Sequence, residues 1–323
     1  MNSTEEPDTS TLLIEKHINF IQSLDKKEDS LSYHLTEHLR LNGIYWALVS
    51  IQLLKKPNTL SKDEMIQWVL KCWDPIEGGF SPHPFHDPHL HSTLSAIQIL
   101  VMQNSLDKVD KQKITNYILA RFNDQTGSFS GDQWNETDTR FSYCAISGLS
   151  LLGTLQQLNQ SRATDYLINC QNFDGGFGMI QGSESHAAYV WTSVAALAIL
   201  GNLDLIDQNK LGWWLSERQL ENGGLNGRPE KLEDVCYSWW ALASLEIIGK
   251  THWIDGNKLK SFILSCQDSN LGGIADRPND MPDLWHTIFG LSGLSILNFH
   301  GLEKIDPIYC IPTEFTKSLN HQS

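Results

Sequence analysis

A glycine-centred tripeptide recurs along this chain in a single register: Gly78-Gly79-Phe80, Gly127-Ser128-Phe129, Gly175-Gly176-Phe177, Gly223-Gly224-Leu225 and Gly272-Gly273-Ile274. Its third residue falls at 80, 129, 177, 225 and 274, in steps of 49, 48, 48 and 49. A unit of that length cannot bury its apolar face alone and must stack on copies of itself, which restricts the fold to a solenoid or a ring. Ahead of each turn runs a short, partly charged apolar-periodic segment ending in Cys or Arg, often followed by Gln. Beyond each turn and a polar loop runs a longer segment, apolar nearly all round, and several of these close on glycine. Such a pair reads as a half-exposed outer helix and a buried inner helix ended by a left-handed cap. Residues 31–53 supply one more inner helix and 11–24 its outer partner, which makes six hairpins of about 48 residues. The expected fold is all-α, an (α/α)6 barrel or toroid over residues 11–312, because closing the ring removes the ends that an open superhelix has to cap. Residues 1–10 are expected to be a flexible tail and 313–323 a C-terminal tail.

By length alone, 323 residues could form two domains; the repeat makes one ring of them. The formal charge of -14, from 38 acidic against 24 basic residues, argues against nucleic acid or an anionic membrane as the main ligand. Any anion site must therefore be a local basic island. No apolar run approaches the roughly 20 residues of a membrane span, so no membrane anchor is expected. The opening MNSTEEPDTS lacks the basic start and apolar stretch of a signal peptide. The chain is accordingly expected in the cytoplasm, where six cysteines stay reduced and available to metals.

Aligning the inner segments on their closing residues Gly153, Gly201, Gly249 and Asn298 puts Asp138, His186, Asp234 and Asp283 in one column, and extending it backward adds His89 and Arg40. In a closed ring these positions start the inner helices and surround one mouth. They are either helix N-caps or a ring of titratable groups around a site, and for Asp138 and Asp283 the two readings weigh equally. Around Asp234 the pattern is sharper. Cys236 follows two residues on, and His286 lies one repeat later, three places past the column. Carboxylate, thiolate and imidazole make a three-ligand zinc set with the fourth position open, as a catalytic site requires. The alternative is an ordinary buried cysteine and a satisfied core histidine. Arg228 and Lys231 precede Asp234, Tyr237 follows it and His186 stands one repeat earlier, a seat for a phosphate-like leaving group unless this is merely a solvated loop.

Aromatic residues crowd the inner segments: Trp46, Phe141, Tyr143, Tyr189, Trp191, Tyr237, Trp239, Trp240, Trp285 and Phe289. Some must be core; those facing the lumen would line a slot for a polyunsaturated chain. The histidines of HPFHDPHLH (His83, His86, His89 and His91) look like a metal tract, but Pro82, Pro84 and Pro88 break any helical face, which argues against a ligand site. Cys72, Cys170 and Cys266 share one outer-helix column and read as small buried hydrophobes.

At these residues the chain resembles the β subunits of protein prenyltransferases, and within that family the Rab geranylgeranyl (type II) branch. The resemblance rests on long strings, among them DTRFSYCA, NFDGGFG, ESHAAYVWTSVAALAI, GWWLSERQLENGGLNGRPEKLEDVCYSWW, GGIADRPND and IDPIYCIP, and runs from about residue 12 to 312. It implies a zinc site of Asp234, Cys236 and His286, and lipid diphosphate held by His186, Arg228, Lys231 and Tyr237. It implies Trp240 and Trp46 along the isoprenoid, and Arg140 near the bound lipid. Asp276 matches a carboxylate that assists Mg²⁺ in the farnesyl enzymes. The implied reaction is transfer of geranylgeranyl from its diphosphate to C-terminal cysteines of Rab GTPases, which an escort protein presents, by a heterodimer with an α subunit. The farnesyl and type I geranylgeranyl β subunits are the nearest alternatives. Terpene cyclases, which also build α/α barrels, need an Asp-rich acid motif such as DxDD that this chain lacks. A non-catalytic ring-shaped binding module would have no reason to gather Asp, Cys and His at one mouth.

Overall fold

The structure, a computed structural model, describes residues 11–24, 31–317 and 319. The tail expected at 1–10 lies outside the described residues, as do 318 and 320–323 of the C-terminal one. Within the described residues the regular secondary structure is helical. The first hairpin comprises α1 (Ile14–Leu24), a short α2 (Leu31–Leu35) and α3 (Arg40–Leu53). Five outer–inner pairs follow: α4 (Lys62–Lys71) with α5 (Leu90–Met102), α6 (Lys111–Ala120) with α7 (Thr139–Leu152), α8 (Gln160–Asn169) with α9 (Ala187–Ile199), α10 (Gln208–Ser216) with α11 (Tyr237–Ile247), and α12 (Gly256–Ser265) with α13 (Leu284–Ile296). The inner helices pack in sequence, α3 on α5, α5 on α7, α7 on α9, α9 on α11 and α11 on α13, and α13 packs back on α3. The ring is closed.

The inner helix expected over 31–53 is interrupted. Thr36, at φ -111° and ψ 13°, leaves helical geometry after α2; a 3-10 turn at Glu37–Leu39 follows, and α3 begins at Arg40. The Thr36 hydroxyl donates to the Tyr33 carbonyl at 3.3 Å, a local bond that competes with continued helix. The repeat register marks the same start. All six inner helices stop just before a residue with positive φ: Lys55 (62°), Asn104 (48°), Gly153 (74°), Gly201 (72°), Gly249 (69°) and Asn298 (55°).

The first glycine of each repeated turn has φ between 77° and 92° and lies against the next outer helix. A Cβ on Gly78, Gly127, Gly223 or Gly272 would overlap the carbonyl of Lys113, Arg162, Lys258 or Lys16 respectively. Only glycine permits both that backbone conformation and that approach. The last of these contacts brings the final turn onto α1, where the buried His17 completes the seal. The Gly273 N–H donates to His17 Nδ1 at 2.9 Å, which leaves Nε2–H to donate to Gln267 Oε1 at 2.9 Å.

The far end of the ring is filled by the chain itself. After α13 the backbone passes the C-terminal end of α3, where Glu303 N–H donates to the Leu53 carbonyl, and residues 305–312 enter the interior. There Tyr45, Gln98, Tyr143 and Trp191, from four inner helices, donate to the carbonyls of Cys310, Tyr309, Ile308 and Pro307 at 2.7–2.9 Å. Beyond 312 a 3-10 turn at Thr313–Phe315 leads to the buried Thr316, whose hydroxyl donates to Asp306 Oδ2 at 2.6 Å. The mouth left for chemistry is the one ringed by the inner-helix starts.

Burial lowers the pKa of His17 to about 4, against an opposing hydrogen bond with Gln267. Because the folded value is depressed, the unfolded chain binds the extra proton between pH 6.5 and 4, so stability is lost as pH falls through that window. The loss from this group should reach at most about 3 kcal/mol. Thermal unfolding followed from pH 7 to 4 should show the wild-type chain losing more stability than His17→Gln, with the variant already weaker at pH 7.

Candidate active site

The column at the inner-helix starts is a column of caps. The side chains of His89, Asp138 and His186 each accept the backbone N–H two residues on, at 3.1, 2.8 and 3.1 Å. Asp283 accepts from His286 N–H at 2.8 Å. Asp234 accepts from Cys236 N–H at 2.7 Å, just ahead of α11. Arg40 departs from the pattern: Leu39 holds the cap position, and the Arg40 guanidinium lies 3.8 Å over the Tyr33 ring. Capping and function coincide where a cap has atoms to spare.

Asp234 and His286 are such a place. Asp234 Oδ1 is 3.2 Å from His286 Nε2, and one ligand atom from each of Asp234, Cys236 and His286 lies within 4.8 Å of the other two. His286 Nδ1 is bonded to Asp283 Oδ2 at 2.8 Å, which fixes the ring and leaves Nε2 directed at Asp234. Burial opposes a charged His286, but its bonds to Asp234 and Asp283 outweigh burial and raise it to about 9. Burial would likewise raise Asp234, yet bonds from His286 and Cys236 carry it below the usual carboxylate range. Burial first, and then the Asp234 charge, push the Cys236 thiol well above its ordinary value. Left to themselves these groups hold a proton between two carboxylates and an inert thiol. A divalent cation would replace that proton and relieve the Asp–Cys repulsion, so the donor set fits zinc with one position open.

Beside this cluster opens a cavity of about 300 Å³, lined by His186, Arg228, Lys231, Asp234, Tyr237, Asp276 and Arg277 among others. The four residues expected to seat a diphosphate therefore share one cavity with Asp234. Burial and then the Arg228 charge lower His186, and its Nδ1 is occupied by the Ala188 N–H, so the neutral ring carries its proton on Nε2, 3.3 Å from the Tyr237 hydroxyl. Arg228 is paired with Glu184, and Arg277 with Asp276 at 3.1 Å and Asp280 at 3.5 Å. These cations sit in counter-charged cradles that an incoming anion would share.

Arg140 and Trp46 do not line this cavity. Arg140 is clamped by Asp138, with three side-chain contacts at 2.5, 3.0 and 3.1 Å, and lies over Phe141. Trp46 belongs to a band of aromatics crossing the inner helices: Trp46 packs on Trp285 (5.2 Å between ring centres), Trp285 and Trp240 on Phe289 (4.7 Å each), and Trp240 on Trp191 (5.2 Å). Trp46, Trp240 and Trp285 are half-buried, whereas Trp239 and Phe141 are core. Burial pushes the thiols of Cys72, Cys170 and Cys266 up to about 12, 11 and 12, in keeping with small buried hydrophobes.

Residues 12–311 match the family model described as the prenyltransferase alpha-alpha toroid domain. The chain is 52% identical over 95% of its length to the geranylgeranyl transferase type-2 subunit beta of Saccharomyces cerevisiae, covering 96% of that protein. It is 53% identical over 96% of its length to the probable geranylgeranyl transferase type-2 subunit beta of Dictyostelium discoideum, covering 92% of it. Its fold superposes on Candida albicans protein geranylgeranyltransferase-I complexed with GGPP with a TM-score of 0.87 at 24% identity, covering 97% of this chain and 99% of that one.

One site residue escapes a reading of the sequence: Arg277, which stands in a loop a repeat away from Arg228. Asp283, legible there as either a cap or a site residue, is both, because its second oxygen orients His286. Asp283→Asn keeps a competent cap but removes the charge behind the ring, so zinc affinity should fall about 10- to 100-fold. Competition against a chromophoric chelator measures it.

Proposed function

The chain belongs to the prenyltransferase alpha-alpha toroid family, and from that premise we propose that it is the catalytic β subunit of a type-2 geranylgeranyl transferase, with residues 11–312 as its catalytic domain. Its lipid substrate is geranylgeranyl diphosphate, and its acceptors are C-terminal cysteines of Rab GTPases carried by an escort protein. It acts in the cytoplasm as a heterodimer with an α subunit. No helix among the described residues is long and apolar enough to cross a membrane, so the lipid has to be housed in a pocket. The observation that carries the reading is the adjacency of the Asp234–Cys236–His286 cluster to the His186–Arg228–Lys231–Tyr237 cavity, with Asp234 common to both.

Zinc held by Asp234, Cys236 and His286 would supply the charge that keeps an acceptor cysteine as its thiolate near neutral pH. The chain's own groups do the rest. Asp283 keeps His286 Nε2 available, and the half-buried Trp46, Trp240 and Trp285 offer an apolar wall for the isoprenoid. Arg228, Lys231, the His186 Nε2–H and the Tyr237 hydroxyl take the diphosphate. As the new C–S bond forms and the C1–O bond breaks, they receive the charge growing on the leaving oxygen. Arg140, clamped by Asp138, acts on the lipid side rather than on the diphosphate. Asp276, the carboxylate that would assist Mg²⁺, is paired with Arg277, and the scheme does not require that ion.

With an α subunit and a Rab–escort complex, the chain should transfer labelled geranylgeranyl in preference to farnesyl. Preference for farnesyl, or modification of an isolated C-terminal tetrapeptide, would overturn the assignment. Cys236→Ala should lose the metal held with Asp234 and His286 together with turnover, read by the thiolate-to-metal absorption of the Co²⁺-loaded chain and by single-turnover transfer. Arg228→Ala should slow the chemical step by about 10²–10³ while leaving the metal in place.

A further inference from the structure

The proline-broken histidine tract, which has no part in the reaction above, meets a carboxylate from another hairpin. Glu37 sits in the 3-10 turn that interrupts the entry to α3, and His83 and His86 sit in the loop ahead of α5. A local turn shapes that loop: the His86 N–H and the Ser81 hydroxyl both donate to the His83 carbonyl, at 3.1 and 2.8 Å. One ligand atom from each of Glu37, His83 and His86 lies within 4.8 Å of the others, and His86 Nε2 is 3.6 Å from Glu37 Oε2. Two ligands on a tetrahedral zinc with bonds near 2.0–2.1 Å stand roughly 3.4 Å apart.

The supporting contacts have the form that metal ligands require. The Nδ1 of His83 lies 3.1 Å from the Pro84 carbonyl, so Nδ1 carries the proton and Nε2 keeps its lone pair. Trp68 and Tyr33 meet the His83 ring edge-on, at 5.3 and 6.4 Å, and hold its plane. Glu37 divides its oxygens: Oε1 accepts from His34 Nδ1 at 2.9 Å, and Oε2 faces His86. That His34 bond outweighs the cost of burial and holds the Glu37 carboxyl below its ordinary value. Two imidazoles and one carboxylate without sulfur suit a borderline divalent ion such as Zn²⁺ or Co²⁺, and neither Ca²⁺ nor Cu⁺.

We propose that Glu37, His83 and His86 form a second, sulfur-free transition-metal site that ties the interrupted entry of the first hairpin to the loop of the second. It is independent of the function proposed above, whose cluster comes from the fifth and sixth hairpins. The full chain, stripped by a chelator and reloaded with Co²⁺, should bind two equivalents, counted by elemental analysis. His86→Ala should bind one and keep the thiolate-to-cobalt charge-transfer absorption that Cys236 provides; His86 is exposed, so its truncation leaves the packing intact. Cys236→Ala should lose that absorption and still hold one equivalent. Glu37→Gln should weaken the sulfur-free equivalent by at least about tenfold. A His86→Ala chain that binds as much Co²⁺ as the wild type, or a Cys236→Ala chain that binds none, overturns the proposal.

Discussion

Each hairpin of this molecule leans on the next through a glycine whose backbone lies against the outer helix that follows, and the architecture depends on that seat. It sets the spacing between successive outer helices, and with it the angle through which the inner helices turn. Repeated around the chain, the contact delivers the last turn onto α1, where Gly272 meets the Lys16 carbonyl and Gly273 bonds His17. The site exists because of this closure. Cys236 and His286 start neighbouring inner helices, and His186 starts the one before; their convergence is a consequence of ring geometry, which the repeat register carries in the sequence.

Much of this was legible in the sequence, because the repeat converts a three-dimensional question into alignment. The turns, the alternation of outer and inner helices and the convergence of Asp234, Cys236 and His286 all follow from the register. What the register does not contain was missed, for physical reasons. Thr36 interrupts the first inner helix through a local hydroxyl–carbonyl bond, which apolar periodicity does not report. Lys55 and Asn104 end their helices with positive φ without being glycine. The aromatic positions were countable, but which rings face the lumen depends on helix rotation, which separates Trp239 from its neighbour Trp240. The clamp of Arg140 by Asp138 is a contact that no spacing rule encodes. Cap or site group was a false choice for Asp283, since two oxygens allow it to cap α13 and orient His286 together.

Electrostatics divides the same way. A net charge of -14 says only that a binding site for an anion must be local. Arg228 and Arg277 face one cavity already matched to Glu184 and Asp276. Partly exposed pairs of this kind contribute little to stability; what they do is hold the guanidiniums in place at the cavity. The acidic excess therefore includes residues that arrange the basic island.

The segment at 305–312 makes the molecule dependent on its own late residues. Tyr45, Gln98, Tyr143 and Trp191 each donate to a carbonyl of that segment, which the ribosome makes only after all six hairpins. Until then four polar groups face an unfilled interior, each costing about 1–3 kcal/mol if buried without a partner. The hairpins can form in order as the chain emerges, but the finished interior cannot be reached stepwise. The ring is in this sense a vessel whose stopper is moulded last and from the same material, so an interrupted chain holds nearly all the helices and none of the enclosed space.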